Sequence, residues 1–322
     1  MIGRYKILLL LFLVCAGRYI YTCRLAYCPQ EKSAIPAQIS SIHEILTQNV
    51  RAFLPSPHAE LALGMTFGID NFADIPKFKQ KLRDTGTIHV VVVSGFNISL
   101  VSGLLLSAVG SKYKPGNLIR VLLLTLGYAV FTGFEPPVIR AWIMSTILLV
   151  GSFYGRVIST IQVLVFAGLV MVLYKPSYLE SLSFQLSFAA TLGLLTITPL
   201  LDKLVTLPKD ISSSVAAQAA VWPLISYNFG TFSIAGLFLN PLILWVVPII
   251  TVLCFPLAFM GLLLGEWGRF SYMVVYPLLN YFVLSVEFFS RIIFSSITLK
   301  ISAPVLLAYY VLLIFFIARH YV

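Results

Sequence analysis

Apolar positions along this chain fall into long blocks, not into alternating strands or single amphipathic stripes. From Ile211 to Gly265 there is no Asp, Glu, Lys, Arg or His, whereas one membrane-crossing helix needs only about 20 apolar residues. Further apolar blocks cover 88–110, 117–134, 137–151, 157–174, 182–200, 270–293 and 303–318. An opening segment, Lys6 to Tyr21, follows Arg4 in the manner of a signal peptide. With no small-x-small cleavage site behind it, a retained anchor is expected. The pattern predicts an all-α fold, a polytopic transmembrane helix bundle with interrupted helices. Its expected organisation is a membrane anchor over 1–22, a short extracytoplasmic segment over 23–87 and a polytopic membrane domain over 88–322.

Within the polar segment, Ile39, Ile42, Ile45, Leu46 and Val50 recur at helical spacing, which predicts an interfacial amphipathic helix over Ile39 to Phe53. A short charged helix is expected from Ala73 to Asp84. The uncharged block is punctuated by Pro223, Asn228-Phe229-Gly230, Asn240-Pro241, Pro248 and Pro256. Proline removes a helical hydrogen bond, and an interrupted helix at membrane depth survives only inside protein or against a wet cavity.

Composition strengthens the membrane reading: 59% of residues are hydrophobic and 11% charged, against about 25% charged in a soluble domain. Mean hydropathy is +0.94. The formal net charge of +10 would suggest nucleic acid on a soluble protein. Here Lys112, Lys114, Arg120, Arg156, Lys203 and Lys209 fall in alternate loops, with little beyond Lys175 opposite. The positive-inside rule then puts the N-terminus in the cytoplasm and residues 23–87 outside. Cys23 and Cys28 either pair on an oxidising face or stay free thiols; with Cys15 and Cys254 they make no metal pattern.

Polar residues inside apolar blocks are the candidate chemistry. His89, Ser94 and Asn97 open one block, whose Gly95, Ser99 and Gly103 recur every four residues and predict close helix packing. Arg140, with Glu135 nearby, lies about one turn into its helix, on the side the positive-inside rule disfavours. Ser183, Ser187 and Thr191 share a helix face, with Gln185 near it, and Gln218, Asn228 and Asn240 punctuate the charge-free block.

These motifs together resemble the ComEC family, the membrane channel of bacterial DNA uptake. The matching text is Ala62-Leu63-Gly64, the helix to Asp84, Gly86 to Gly95, Thr132-Gly133 through Pro137, and Arg140-Ala141. It continues with Ser183 to Gly193, Gln218, Pro223, Phe229-Gly230 and Asn240-Pro241. The resemblance implies the family's competence-domain fold and passage of single-stranded DNA across the inner membrane, with His89, Ser94, Arg140, Gln185 and Asn240 at signature positions. Asn97 stands where family members usually carry a second histidine. A short form is expected, without the metallo-β-lactamase-like domain of larger members: the only histidines are 43, 58, 89 and 320, in no His-x-His pattern. No cofactor and no metal are expected.

Three functions compete. A conduit for single-stranded DNA wants a wet, mostly neutral polar lining, because a strongly basic pore holds each phosphate too tightly. A secondary transporter for a small solute also fits broken helices and a buried arginine. An intramembrane enzyme ranks last, because His89 and Ser94 lie on different faces of one helix. Expected partners are single-stranded DNA, the lipid bilayer, a cytoplasmic ATP-driven motor, and a separate DNA receptor or nuclease. No Gly-x-x-x-x-Gly-Lys-Ser/Thr occurs in the sequence.

Overall fold

The computed structural model describes residues 37–91, 95–109, 114–205, 208–233, 235–265, 270, 272–291 and 296–321. The expected anchor over 1–22, Cys23, Cys28 and Ser94 lie outside the described residues, as does the side chain of His89. Helices dominate: α1 (Ala37–Phe53), α2 (His58–Phe67), α3 (Pro76–Asp84), α4 (Ile88–Val91), α5 (Gly95–Val109), α6 (Pro115–Phe131) and α7 (Pro136–Phe153). They continue as α8 (Thr160–Tyr174), α9 (Leu182–Leu204), α10 (Lys209–Phe229), α11 (Ala235–Leu244), α12 (Val246–Leu264), α13 (Tyr276–Ser290) and α14 (Ala303–Tyr321). The all-α expectation holds, with one addition: Thr231–Ser233 (β1) and Ser296–Thr298 (β2) pair antiparallel, Phe232 opposite Ile297. Three helical stretches among the described residues are long and apolar enough to cross a membrane, Pro136–Phe153, Leu182–Leu204 and Phe238–Leu263.

The chain divides into two compact units. One comprises residues 98–192; the other combines 35–97 with 193–322.

In the first unit α6, α7 and α8 pack in sequence. Gly133 (φ 87°) and Phe134 (φ 51°) carry the chain out of α6 through left-handed backbone, a conformation that favours glycine. Pro136 then starts α7 at a position that needs no N–H. Met171, Val172 and Phe184 form a buried cluster against Ile139 and Ile143, joining α7, α8 and the start of α9.

In the second unit α2 is buried at all ten of its positions and packs on α1, α12 and α13. A helix buried all round, with His58, Glu60 and Thr66 among its buried residues, shows no amphipathic stripe, and ten residues are too few for a span, so periodicity could not reveal it. Leu46 and Val50 of α1 are buried in this packing, while Ile42 and Ile45 stay exposed. The predicted amphipathic helix therefore exists, but much of its apolar face is covered by protein. Arg51 at its end donates to Asp74 at 2.5 Å and pairs with Glu60 at 3.2 Å. The Asp74 hydrogen bond leads in holding the guanidinium above its ordinary pKa, against burial. Lys81 of α3 reaches Glu287 of α13 at 2.6 Å. The charged stretch is thereby tied to the helices beside it.

Prolines do not all break helices here. Pro223 lies inside α10, Pro241 inside α11 and Pro256 inside α12. The real interruption falls after Gly230 (φ 67°), which caps α10; at Trp245, between α11 and α12, the backbone stays helical and the apolar stretch Phe238–Leu263 runs through. Pro223 leaves the carbonyl four residues earlier without a helical donor, and that carbonyl, Ala219 O, accepts from Tyr309 Oη of α14 at 2.9 Å. A polar side chain from a neighbouring helix thus lets α10 run straight through its proline.

Candidate conduit residues

Arg140 is the only one of the candidates with a full charge that the fold turns into protein. Its Nη1 donates to the carbonyl of Ser187 and to Thr191 Oγ1, both on α9. Its guanidinium carbon lies 6.0 Å from the centre of the Phe188 ring. Among the described residues no carboxylate comes within ion-pair distance. Glu135, nearby in sequence, is the N-cap residue of α7, and its carbonyl accepts from the N–H groups of Val138 and Ile139.

Of Ser183, Ser187 and Thr191, Arg140 meets the backbone carbonyl of Ser187 and the hydroxyl of Thr191. Gln185 does not join them. Its Nε2 folds back to the carbonyl of Leu179 at 2.8 Å, closing the 3₁₀ turn Pro176–Glu180 onto the start of α9.

Asn97 is 2% exposed and donates from Nδ2 to Met65 O at 2.7 Å. Met65 sits in the last turn of α2, where carbonyls lack helical donors; Gly68 and Ile69 N–H satisfy Gly64 O and Leu63 O, and Asn97 satisfies this one. Asn97 is thus a staple between α5 and α2. Replacement by Ala is expected to leave a buried carbonyl bare and lower stability by about 1–3 kcal/mol, read as a fall in melting temperature. A variant that melts with the wild type would remove the staple role.

Among the described residues, the Gly95, Ser99 and Gly103 ridge meets no close partner at Gly103. Gly95 is buried, but Ser99 and Gly103 are exposed, and a Cβ at Gly103 would meet nothing within 4 Å among the described residues. Spacing shows that a close approach is permitted, not that a partner is there. The close approach occurs instead at Gly193 of α9, where a Cβ would lie 2.6 Å from Ala220 Cβ and 2.7 Å from Ala216 O of α10.

Gln218 lies beside the start of α11: a Cβ on Gly236 would stand 3.5 Å from its Nε2 and 3.1 Å from Thr85 O. Ser233 Oγ accepts from Gly236 N–H at 3.2 Å there, and Thr85 and Thr87 share a hydroxyl bond of 2.9 Å nearby in sequence. Asn240, one turn further along α11, is 4% exposed, and its Oδ1 has no partner among the described residues. Ser212 and Ser226 of α10 are fully buried, with hydroxyls likewise unpartnered among the described residues. None of these threonines and serines was singled out from sequence, since hydroxyls in helices so often bond their own backbone.

Taken together, the apolar spans, interrupted helices and buried neutral polar groups define a polytopic helical membrane protein. The chain belongs to the competence protein family, whose model matches residues 62–321. It is 25% identical over 264 residues to ComE operon protein 3 of Bacillus subtilis (strain 168), covering 80% of this chain and 32% of that protein. It is 29% identical over 225 residues to an uncharacterized protein of Aquifex aeolicus (strain VF5), covering 69% of this chain and 52% of the relative. A third relative, the uncharacterized protein YcaI of Escherichia coli (strain K12), is 30% identical over 153 residues, 44% of this chain and 20% of its own length. The chain thus spans about a third to a half of the first two relatives. No solved structure matches it.

Proposed function

We propose that this chain forms the conduit that carries single-stranded DNA across the cytoplasmic membrane in natural transformation. The observation that carries the reading is a set of buried neutral polar atoms without partners among the described residues, Ser212 Oγ, Ser226 Oγ and Asn240 Oδ1, on the helices flanking an interruption. A buried polar atom without a partner costs free energy that water can relieve. Hydrated neutral groups suit a polyanion, since they solvate phosphates without trapping them. Deleting the coding sequence from a transformable strain should abolish entry of labelled DNA into the cytoplasm, and restoring this chain should recover it. Undiminished uptake in the deletion strain rejects the conduit. A small-solute transporter would also use interrupted helices, and a deletion that leaves transformation intact but stops uptake of a solute would point there.

The proposed orientation has the N-terminus and residues 111–116 in the cytoplasm. Its support is where the basic residues fall: Lys114 caps α6, Arg156 follows α7, Lys203 ends α9 and Lys209 opens α10. If each span crosses, these ends share one side. A reporter fused at Lys112 is expected to be active only in its cytoplasmic form; periplasmic activity there inverts the topology.

A further inference from the structure

We propose that Arg140 is a phosphodiester contact, at which single phosphates of a passing strand take the place of the missing carboxylate; this rests on the conduit reading. The guanidinium has five donors in a fixed plane. Two of them, on Nη1, are spent on Ser187 O and Thr191 Oγ1, which fixes the group against α9. Among the described residues Nε is closed off and unpartnered, which leaves the two donors of Nη2, for which no bond appears, to a phosphate oxygen.

Arginine near a helix end commonly snorkels to lipid headgroups. Here the head is turned instead onto the neighbouring helix, over the Phe188 ring, so a strand within the bundle fits better than the bilayer surface. A charge inside the membrane is costly unless something neutralises it, and the described residues supply no carboxylate to do so. A single cation in a neutral setting offers each phosphate a foothold and then releases it. A row of cations would not.

The test uses the full chain in nanodiscs of zwitterionic lipid and two probes, a short oligothymidylate and the same oligomer with uncharged methylphosphonate linkages. Wild type is expected to prefer the charged strand by about tenfold, the worth of one charge-assisted contact. Arg140→Gln should lose that preference with unchanged affinity for the uncharged strand, and Arg140→Lys should keep part of it, having the charge without the guanidinium's hold on both Ser187 O and Thr191 Oγ1. A Gln variant that retains the full preference overturns the contact and leaves the conduit standing. Should the Gln variant fail to fold, a Lys variant with the wild-type preference overturns the need for a guanidinium held against α9. If Arg140→Gln strips bound anionic phospholipid, read by native mass spectrometry, while the strand preference persists, the group serves a headgroup and the proposal fails. A wild type that binds neither strand rejects the conduit reading itself.

Discussion

Gly193→Leu is expected to unfold or strongly destabilise the protein, whereas Gly103→Leu is expected to leave its melting temperature nearly unchanged. At Gly193 even a Cβ would sit 2.6 Å from Ala220 Cβ and 2.7 Å from Ala216 O. One of those atoms is backbone and the other is fixed to it, so neither can swing aside. Relief requires α9 and α10 to separate, which opens the buried cluster of Ile197, Ala216 and Ala220 and its contacts with Leu201, Leu313 and Ile317. Overpacking of this kind costs about 1–3 kcal/mol when the backbone can shift; a leucine here, facing a carbonyl, belongs at the upper end. A Cβ at Gly103 has no neighbour within 4 Å among the described residues, so its substitution should stay within about 0.5 kcal/mol. Thermal unfolding of the two detergent-solubilised variants gives the comparison. Equal melting of Gly193→Leu and wild type would falsify the close approach. A large loss at Gly103 alone would show that the α5 ridge has a partner after all.

The contrast between these two glycines shows what the sequence made legible. Length and hydropathy located the helices within a few residues: α7 was expected over 137–151 and runs over Pro136–Phe153, and α8 was expected over 157–174 and runs over Thr160–Tyr174. Such elements are specified locally, by the apolar content of their own residues. The partner of a small residue is not local. Gly95, Ser99 and Gly103 had the better pattern, but Gly193 has the neighbour, because Ala216 and Ala220 supply small surfaces one turn apart on the facing helix. The same holds for polar residues. Asn97 and Gln185 were both legible as groups needing partners, and both find them in backbone carbonyls, at Met65 and Leu179. Proline misled in the other direction: Pro223 reads as a break until Tyr309, 86 positions later in the sequence, is seen to satisfy the carbonyl it orphans. Arg140 was legible as an anomaly, a cation on the disfavoured side of its span. That its anchor is α9 required the fold.

Purified protein reconstituted alone into liposomes, with an imposed inside-negative potential, is expected to show no sustained inward movement of DNA. The reason is electrostatic. Each charge entering against the potential costs about 2.3 kcal/mol per 100 mV, so ten phosphates crossing the field face about 23 kcal/mol at that potential. No binding term available to a conduit offsets this, because a contact that favours entry of a phosphate opposes its exit by the same amount. Arg140, read as a single phosphate contact, lowers the entry step and cannot drive the cycle. On the proposed conduit reading, net import needs free energy from outside the conduit, which we propose a cytoplasmic ATP-driven motor drawing on the leading end supplies. The same proposal has a separate nuclease or pre-existing single-stranded DNA provide the single strand. Adding a single-strand translocase and ATP to the liposome lumen should convert a silent preparation into an importing one, with flux falling as the potential is made more negative. Sustained import by the purified protein alone, with the potential held and no nucleotide present, sinks the motor requirement. Import that is indifferent to the potential sinks the electrostatic account on which it rests.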